Sequence, residues 1–363
     1  MTTDSLTQNW EEYCATELAR VRTMITRLGF VLDNNQIHIG GERAVIGGNK
    51  LVLMGKRIRD GKRVVIKASS HRDGRSEMEH ERVCRMALDQ IRFAYHLFLS
   101  PEQLLWYSED PYLISITAYV EQDCAFLDRT LVDQFFLALN AFETQEGAHA
   151  ATYEHTRMVR GTFGIWRAAD YLRSFETYQR ECGQLIQHHP EICTHLEQAR
   201  GILHDQRQRI EQYTGFLTHT DFVPHNFRVV DREIYLLDHS SIRFGNKYEG
   251  WARFLNFMLL HHRDLEQALV LYVKQNRTPE ESETLHLMRL YRLGEIIWFY
   301  TKNLEKTTGD LHTLYEVRIL FWDEVLQSIL KNRLLPQERI QAYQSLRNRL
   351  RSGEEKQRQQ GLH

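Results

Sequence analysis

Apolar residues in this chain recur at two different spacings, and the change from one to the other near Cys124 limits the folds open to it. Upstream, short apolar runs are separated by glycine turns, which predicts strands at residues 36–39, 43–46, 51–58, 63–69, 104–107 and 112–120. Gly40-Gly41, Gly47-Gly48-Asn49 and Arg59-Asp60-Gly61 join the first four, so they should form an antiparallel meander rather than a crossover sheet. Two helical patterns accompany this region. One spans residues 5–28, with Trp10, Cys14, Leu18, Val21, Ile25 and Leu28 at three- and four-residue steps; the other spans about 75–97. Downstream the pattern is helical almost throughout, at 131–142, 164–188, 192–213, 249–261 and in three further stretches between 263 and 351. An α+β chain in two lobes follows: a helical extension at 1–35, a small antiparallel lobe at 36–121, a larger helical lobe at 122–351, and a polar tail at 352–363.

One stretch breaks the helical half. Residues 217–240 read L-T-H-T-D-F-V-P-H-N-F-R-V-V-D-R-E-I-Y-L-L-D-H-S, two short apolar strands with Asp231-Arg232 as a hairpin turn between them. Polar residues cluster at their ends. Asp221 and Asn226 lie five apart across a proline-bearing loop, and Asp238 directly follows Ile234-Tyr235-Leu236-Leu237, where a buried strand would open into a cleft. A carboxylate able to accept a hydroxyl proton, with an amide oxygen and a second carboxylate able to hold magnesium on a nucleotide, suits phosphoryl transfer. Asp and Asn are also ordinary turn residues, so the spacing alone is weak evidence.

Lys67 strengthens it. It ends the apolar run Val64-Val65-Ile66, where an ammonium is expensive to desolvate unless it meets an anion; a lysine snorkelling at a strand edge is the alternative. On the next helical pattern Glu81 falls on the same stripe as Met78, Cys84, Leu88 and Ile91, which makes it the natural partner, with Glu77 in reserve and Glu79 facing away.

These residues together resemble the protein-kinase-like phosphotransferases, and most closely the aminoglycoside phosphotransferase and choline kinase branch, whose H-G-D-x-x-x-x-N and I-D motifs read here His219-Thr220-Asp221, Asn226 and Leu237-Asp238. The resemblance implies Asp221 as catalytic base, His219 as the prop of its loop, and Asn226 and Asp238 as Mg2+ ligands. It implies Lys67, fixed by Glu81, on the phosphates of ATP or GTP, and a glycine turn over them, Gly47-Gly48 or else Gly40-Gly41. It also places the adenine edge against the backbone of the lobe connector, Tyr119 to Glu121. The expected activity is transfer of the γ-phosphate to a hydroxyl of an aminoglycoside-, choline- or sugar-like small molecule. A protein or peptide kinase and a catalytically silent nucleotide-binding scaffold are the other readings. The sequence departs from the pattern at Thr220, at His225, at His239-Ser240, and at Glu249-Gly250, where the family carries a structural aspartate.

Bulk properties exclude little and agree with this. With 46 Lys and Arg against 48 Asp and Glu in 363 residues, no global charge favours nucleic acid or a membrane surface. Five scattered cysteines without a C-x-x-C pair, and no basic-then-apolar start, suggest a reducing cytoplasmic setting. The longest apolar runs fall well short of the roughly 20 residues that span a bilayer. The clustered histidines lack zinc-site spacing, the segment 145–160 reads as a solvated loop or a lid, and the basic stretch from Lys331 reads as a solvated helix with a frayed end.

Overall fold

The structure, a computed structural model, describes residues 10–39, 50–91, 98–148 and 155–361. Gly40, Gly41, Gly47, Gly48 and the strand expected at 43–46 lie outside the described residues.

The first lobe runs α1 (Trp10–Arg27), β1 (Phe30–Leu32), a 3-10 turn (Ile37–Ile39), β2 (Leu51–Arg57), β3 (Arg63–Ser69), α2 (Arg72–Gln90), β4 (Gln103–Glu109) and β5 (Tyr112–Ala118). The strands form one antiparallel sheet in the order β1-β2-β3-β5-β4. Strand alternation divides its faces. Leu51, Leu53, Val64, Ile66 and Ala68 pack with Val21, Met24 and Ile25 of α1, while Val52, Met54, Val65 and Lys67 point to the opposite side. The lobe's core therefore takes in α1 and β1, both upstream of Gln36.

The strand expected at 36–39 is instead the 3-10 turn. Gln36 supplies the reason: its side chain accepts from the Met54 amide and donates to the Met54 carbonyl, each at 2.8 Å, so a side chain occupies the β2 edge that a backbone strand would have taken. Gly55 answers another constraint, since a Cβ there would stand 2.4 Å from the Val31 carbonyl oxygen on β1.

The second lobe contains α3 (Leu131–Gly147), α4 (Thr156–Thr162), α5 (Ala168–Leu185), α6 (Pro190–Asp205), α7 (Arg207–Gln212), β6 (Phe216–His219), β7 (Phe227–Val230), β8 (Glu233–Leu236), β9 (Ile242–Gly245), α8 (Glu249–His261), α9 (Arg263–Asn276), α10 (Pro279–Leu304), α11 (Gly309–Leu330), α12 (Gln337–Leu350) and α13 (Gly353–Gly361). The helix expected at 192–213 is divided at Gln206 into α6 and α7, and four helices rather than three lie between Arg263 and Arg351. β7 and β8 form the expected hairpin, turned by Asp231 at φ 56°, a left-handed conformation that aspartate tolerates. Around it β6 pairs with β9.

Glu249, the displaced acid at the head of α8, is wholly buried and holds this frame together. It accepts from the Tyr171 hydroxyl at 2.7 Å and from both Arg243 and Arg292, tying β9 and α8 to the helical core. The tail beyond Arg351 is helical: α13 packs on the Ile37–Ile39 turn of the first lobe. All five cysteines are free thiols, and among the described residues no helix is long and apolar enough to cross a membrane.

Helix α10 crosses α5 at Gly294, where a Cβ would come within 2.3 Å of the fully buried Phe175 ring. Gly294→Ala should therefore lower stability by about 1–2 kcal/mol in a urea melt, although alanine is the better helix former, because overpacking outweighs propensity. An unchanged or raised midpoint would contradict this.

Candidate active site

The loop after β6 is pinned from below and open above. Phe222 and Val223 are buried, and Phe222 stacks on Phe227 with ring centroids 4.9 Å apart while meeting Phe142 edge-on at 5.4 Å. The Asp221 side chain stays 41% exposed. Asn226, at the end of a 3-10 turn begun by Pro224, donates from Nδ2 to the Asp221 carbonyl and to Oδ2, each at 2.8 Å. Arg253 of α8 donates from Nε to Oδ1 at 2.8 Å. Desolvation in the cleft would raise the Asp221 carboxyl, but the Arg253 guanidinium, then His219 and Arg292, and the Asn226 bond hold it below the usual carboxylate range.

His219 does not reach the cleft. It is fully buried, its backbone amide donates to Gln145 Oε1 at 3.0 Å, and its Nε2 lies 2.7 Å from the Asp238 carbonyl oxygen. It joins the Asp221 loop to the end of β8 as a positioning residue. A second tie runs from the Leu237 amide to the Asn226 carbonyl at 2.8 Å. Asp238 then closes a local turn, its Oδ1 accepting from the Ser240 amide at 2.9 Å and hydroxyl at 2.7 Å. Burial would raise the Asp238 carboxyl, yet Lys50, Lys67, His219 and the Ser240 bond hold it far below its ordinary value.

From the other lobe, Lys67 Nζ donates to Glu81 Oε1 at 2.5 Å and reaches across to the Leu237 carbonyl at 2.9 Å. Lys67 and Glu81 are only 16% and 14% exposed. Glu77 is not idle: Lys50 binds it at 2.6 Å and lies 3.9 Å from Glu81. Glu79 is exposed. Between the lobes is a cavity of about 270 Å³ whose lining includes Lys50, Lys67, Glu81, Asn226 and Asp238, with Tyr119 and Val120 at the connector. The Glu121 side chain is outside it, 68% exposed and paired with Arg63 at 3.1 Å.

Oxygen donors suited to Mg2+ are present. The bonds of Asn226 engage its amide nitrogen and leave Oδ1, and those of Asp238 to Ser240 engage Oδ1 and leave Oδ2. Two hard oxygen ligands fit an ion that arrives with its remaining ligands, phosphate oxygens and water, rather than one held by protein alone. Among the described residues no three His, Cys, Asp or Glu side chains converge as a metal site.

Sequence reasoning missed Lys50, Arg253 and Arg228. Lys50 stands just before β2, directly after Gly47-Gly48-Asn49 in the sequence, and has no apolar run immediately before it to mark it as buried. Arg253 is a lone cation among Trp251, Ala252, Phe254 and Leu255, a signal of the same kind that picked out Lys67. His225 and His239, noted only as departures from the family motif, both line the cavity; the His239 ring is held by Ser100 Oγ at 2.9 Å.

No protein-family model matches the sequence, and no curated protein matches it. Solved structures do. A thermostable mutant of aminoglycoside phosphotransferase APH(4)-Ia, in a ternary complex with ADP and hygromycin B, is similar with a TM-score of 0.58 and 12% identity, over 86% of this chain and 98% of that one. ADP-bound aminoglycoside phosphotransferase APH(2'')-Ib is similar with a TM-score of 0.53 and 12% identity, over 88% and 97%. Macrolide 2'-phosphotransferase MphH from Brachybacterium faecium is similar with a TM-score of 0.50 and 16% identity, over 88% and 100%. At such identities the likeness is one of fold. The chain has the two-lobed, protein-kinase-like fold of the aminoglycoside phosphotransferases, as its short motifs lead one to expect.

Burial, and then the charges of Lys67, Arg85 and His219, push the His239 imidazole down from 6.5 to about 3. Between those values the unfolded chain binds a proton that the folded chain does not, so this contribution to stability is complete above pH 6.5 and is lost as pH falls toward 3. Moving from pH 7 to 5 should cost on the order of 1–2 kcal/mol through this residue. His239→Gln should lessen that loss in paired urea melts; equal acid sensitivity in both proteins would count against it.

Proposed function

We propose that this protein is a magnesium-dependent phosphotransferase that moves the γ-phosphate of ATP to a hydroxyl group of a small molecule of the aminoglycoside, choline or sugar kind. One observation carries the reading. An ammonium from the sheet lobe, Lys67, lies against the strand end that carries Asp238, inside a cavity that also holds Glu81 and Asn226. Nothing in the packing of two apolar lobes requires those groups to meet, whereas a polyphosphate with its metal requires all of them.

In this reading Lys67 binds the nucleotide phosphates, and Glu81 keeps the ammonium aimed as the nucleotide enters. Asn226 Oδ1 and Asp238 Oδ2 would hold Mg2+, whose chemistry when bound is to draw charge from the phosphate oxygens. Asp221, which stands outside the cavity lining but is bonded to Asn226 within it and stays partly exposed, accepts the proton of the acceptor hydroxyl. The hydroxyl oxygen forms its bond to the γ-phosphorus as the bond to the bridging oxygen breaks, and that electron pair leaves on ADP. Arg253 on Oδ1 and Asn226 on Oδ2 fix the carboxylate in place. His219 acts only through Asp238 and the loop. The neighbours' bound hygromycin B and nucleotide support a small polar acceptor, with Tyr119 and Val120 offering backbone groups to the base.

ADP release in the presence of Mg-ATP, screened over hydroxyl-bearing small molecules such as hygromycin B, streptomycin and choline, tests the activity. With an active acceptor, Asp221→Ala should lower kcat by about 10²–10⁴-fold with little change in ATP affinity; retained turnover would refute the role of Asp221. The pH profile gives a separate check. Removing the nearest cation raises the Asp221 carboxyl, so Arg253→Gln should move the acid limb of kcat/KM to higher pH. An acid limb that stays put, or moves down, would show that this carboxyl does not set it.

A further inference from the structure

We propose that Arg358, carried by the C-terminal helix α13, is a nucleotide-binding residue that contacts the phosphates of ATP at the mouth of the inter-lobe cavity; this rests on the phosphotransferase reading above. Arg358 lines the same cavity as Lys67 and Asp238, though it lies 120 residues beyond Asp238 in the sequence. Its side chain is 19% exposed, so it is packed into the mouth rather than trailing in solvent.

Two features hold α13 there. Helix α12 is fixed to the second lobe by Ile340 and Tyr343, the latter stacked on Phe321 at 3.9 Å. Beyond it, α13 lies against the Ile37–Ile39 turn of the first lobe, and His38 of that turn lines the cavity with Arg358. The helix thus spans from one lobe to the other across the opening.

The charge of the cavity supplies the ligand chemistry. Lys50, Lys67, Arg82, Arg85, Arg228 and Arg358 line it, against the carboxylates of Glu81 and Asp238. With Glu77 and Glu355, which bond Lys50 and Arg358, counted as well, six cations face four carboxylates, and that surplus in a partly enclosed space favours a polyanion. Most of these cations already have partners elsewhere: Lys50 with Glu77, Lys67 with Glu81, Arg85 with the Pro101 carbonyl, and Arg82 over the Trp106 ring.

Arg358 is held differently. Its Nε and Nη2 each bond Glu355 at 2.7 Å, one turn earlier on its own helix, and among the described residues Nη1 has no hydrogen-bond partner. A guanidinium fork makes strong charge-assisted bonds to phosphate as it does to carboxylate, so Arg358 has the chemistry to bind an arriving polyphosphate. Glu355 would not be stranded by the exchange, because its charge also acts on Arg318 and Arg351.

The test is calorimetric titration of the full chain with ATP and, separately, with adenosine. Arg358→Gln should weaken ATP binding by about fivefold or more and leave adenosine within twofold, Arg358→Lys should recover part of the loss, and Gln357→Ala, at an exposed neighbouring position, should change neither. ATP affinity that is unchanged or tighter in Arg358→Gln, or an equal loss for ATP and adenosine, would overturn the assignment. Lys67→Ala separates the two levels of the argument. If it loses ATP while Arg358→Gln keeps it, only the role of Arg358 falls; if the wild-type chain binds no ATP, the phosphotransferase reading falls and takes Arg358 with it.

Discussion

Lys67 carries its ammonium on a strand whose neighbours Ile66 and Ala68 are almost wholly removed from water. An unpaired charge in that position would cost several kcal/mol, so its surroundings have to supply anions. They do so from two directions. Glu81 comes from the helix that follows the strand, and the Leu237 carbonyl comes from the opposite lobe. The second contact joins the two lobes at this point, so the end of β8 has to be fixed in place.

Much of the second lobe serves that requirement. His219 and the Asn226 carbonyl bind the residues on either side of the Leu237–Asp238 bond, Phe222 anchors the loop between them, and Glu249 ties β9, the partner of β6, to α8. Helix α8 then returns Arg253 to Asp221. The same few hydrogen bonds therefore fix both sides of the cavity, and the helices behind them give rigidity more than chemistry.

What the sequence disclosed follows from how local each signal is. β2, β3, β5 and the β7-β8 hairpin could be read because each carries its own alternation or turn residues, and Lys67 and Glu81 because each interrupts an apolar pattern with a charge. β1 and β9 are short and, unlike β7 and β8, have no turn residues joining them to their partner strand, so nothing local in the sequence marks them. The 36–39 segment looked like a strand because Ile37 and Ile39 alternate; a single glutamine side chain, which no propensity scale weighs, decided otherwise. Arg358 was hidden for a third reason. It sits in a polar, glutamine-rich tail whose composition suggests solvent, and only the path of α12 and α13 across both lobes brings it to the cavity.

The most direct test of the account is a crystal structure with Mg2+ and a non-hydrolysable ATP analogue. The triphosphate should lie in the inter-lobe cavity, with the Lys67 nitrogen within hydrogen-bond reach of its phosphate oxygens and one Mg2+ bound by both Asn226 Oδ1 and Asp238 Oδ2. A nucleotide seated elsewhere, or in the cavity with its phosphates turned away from Lys67 and Asp238, would contradict it.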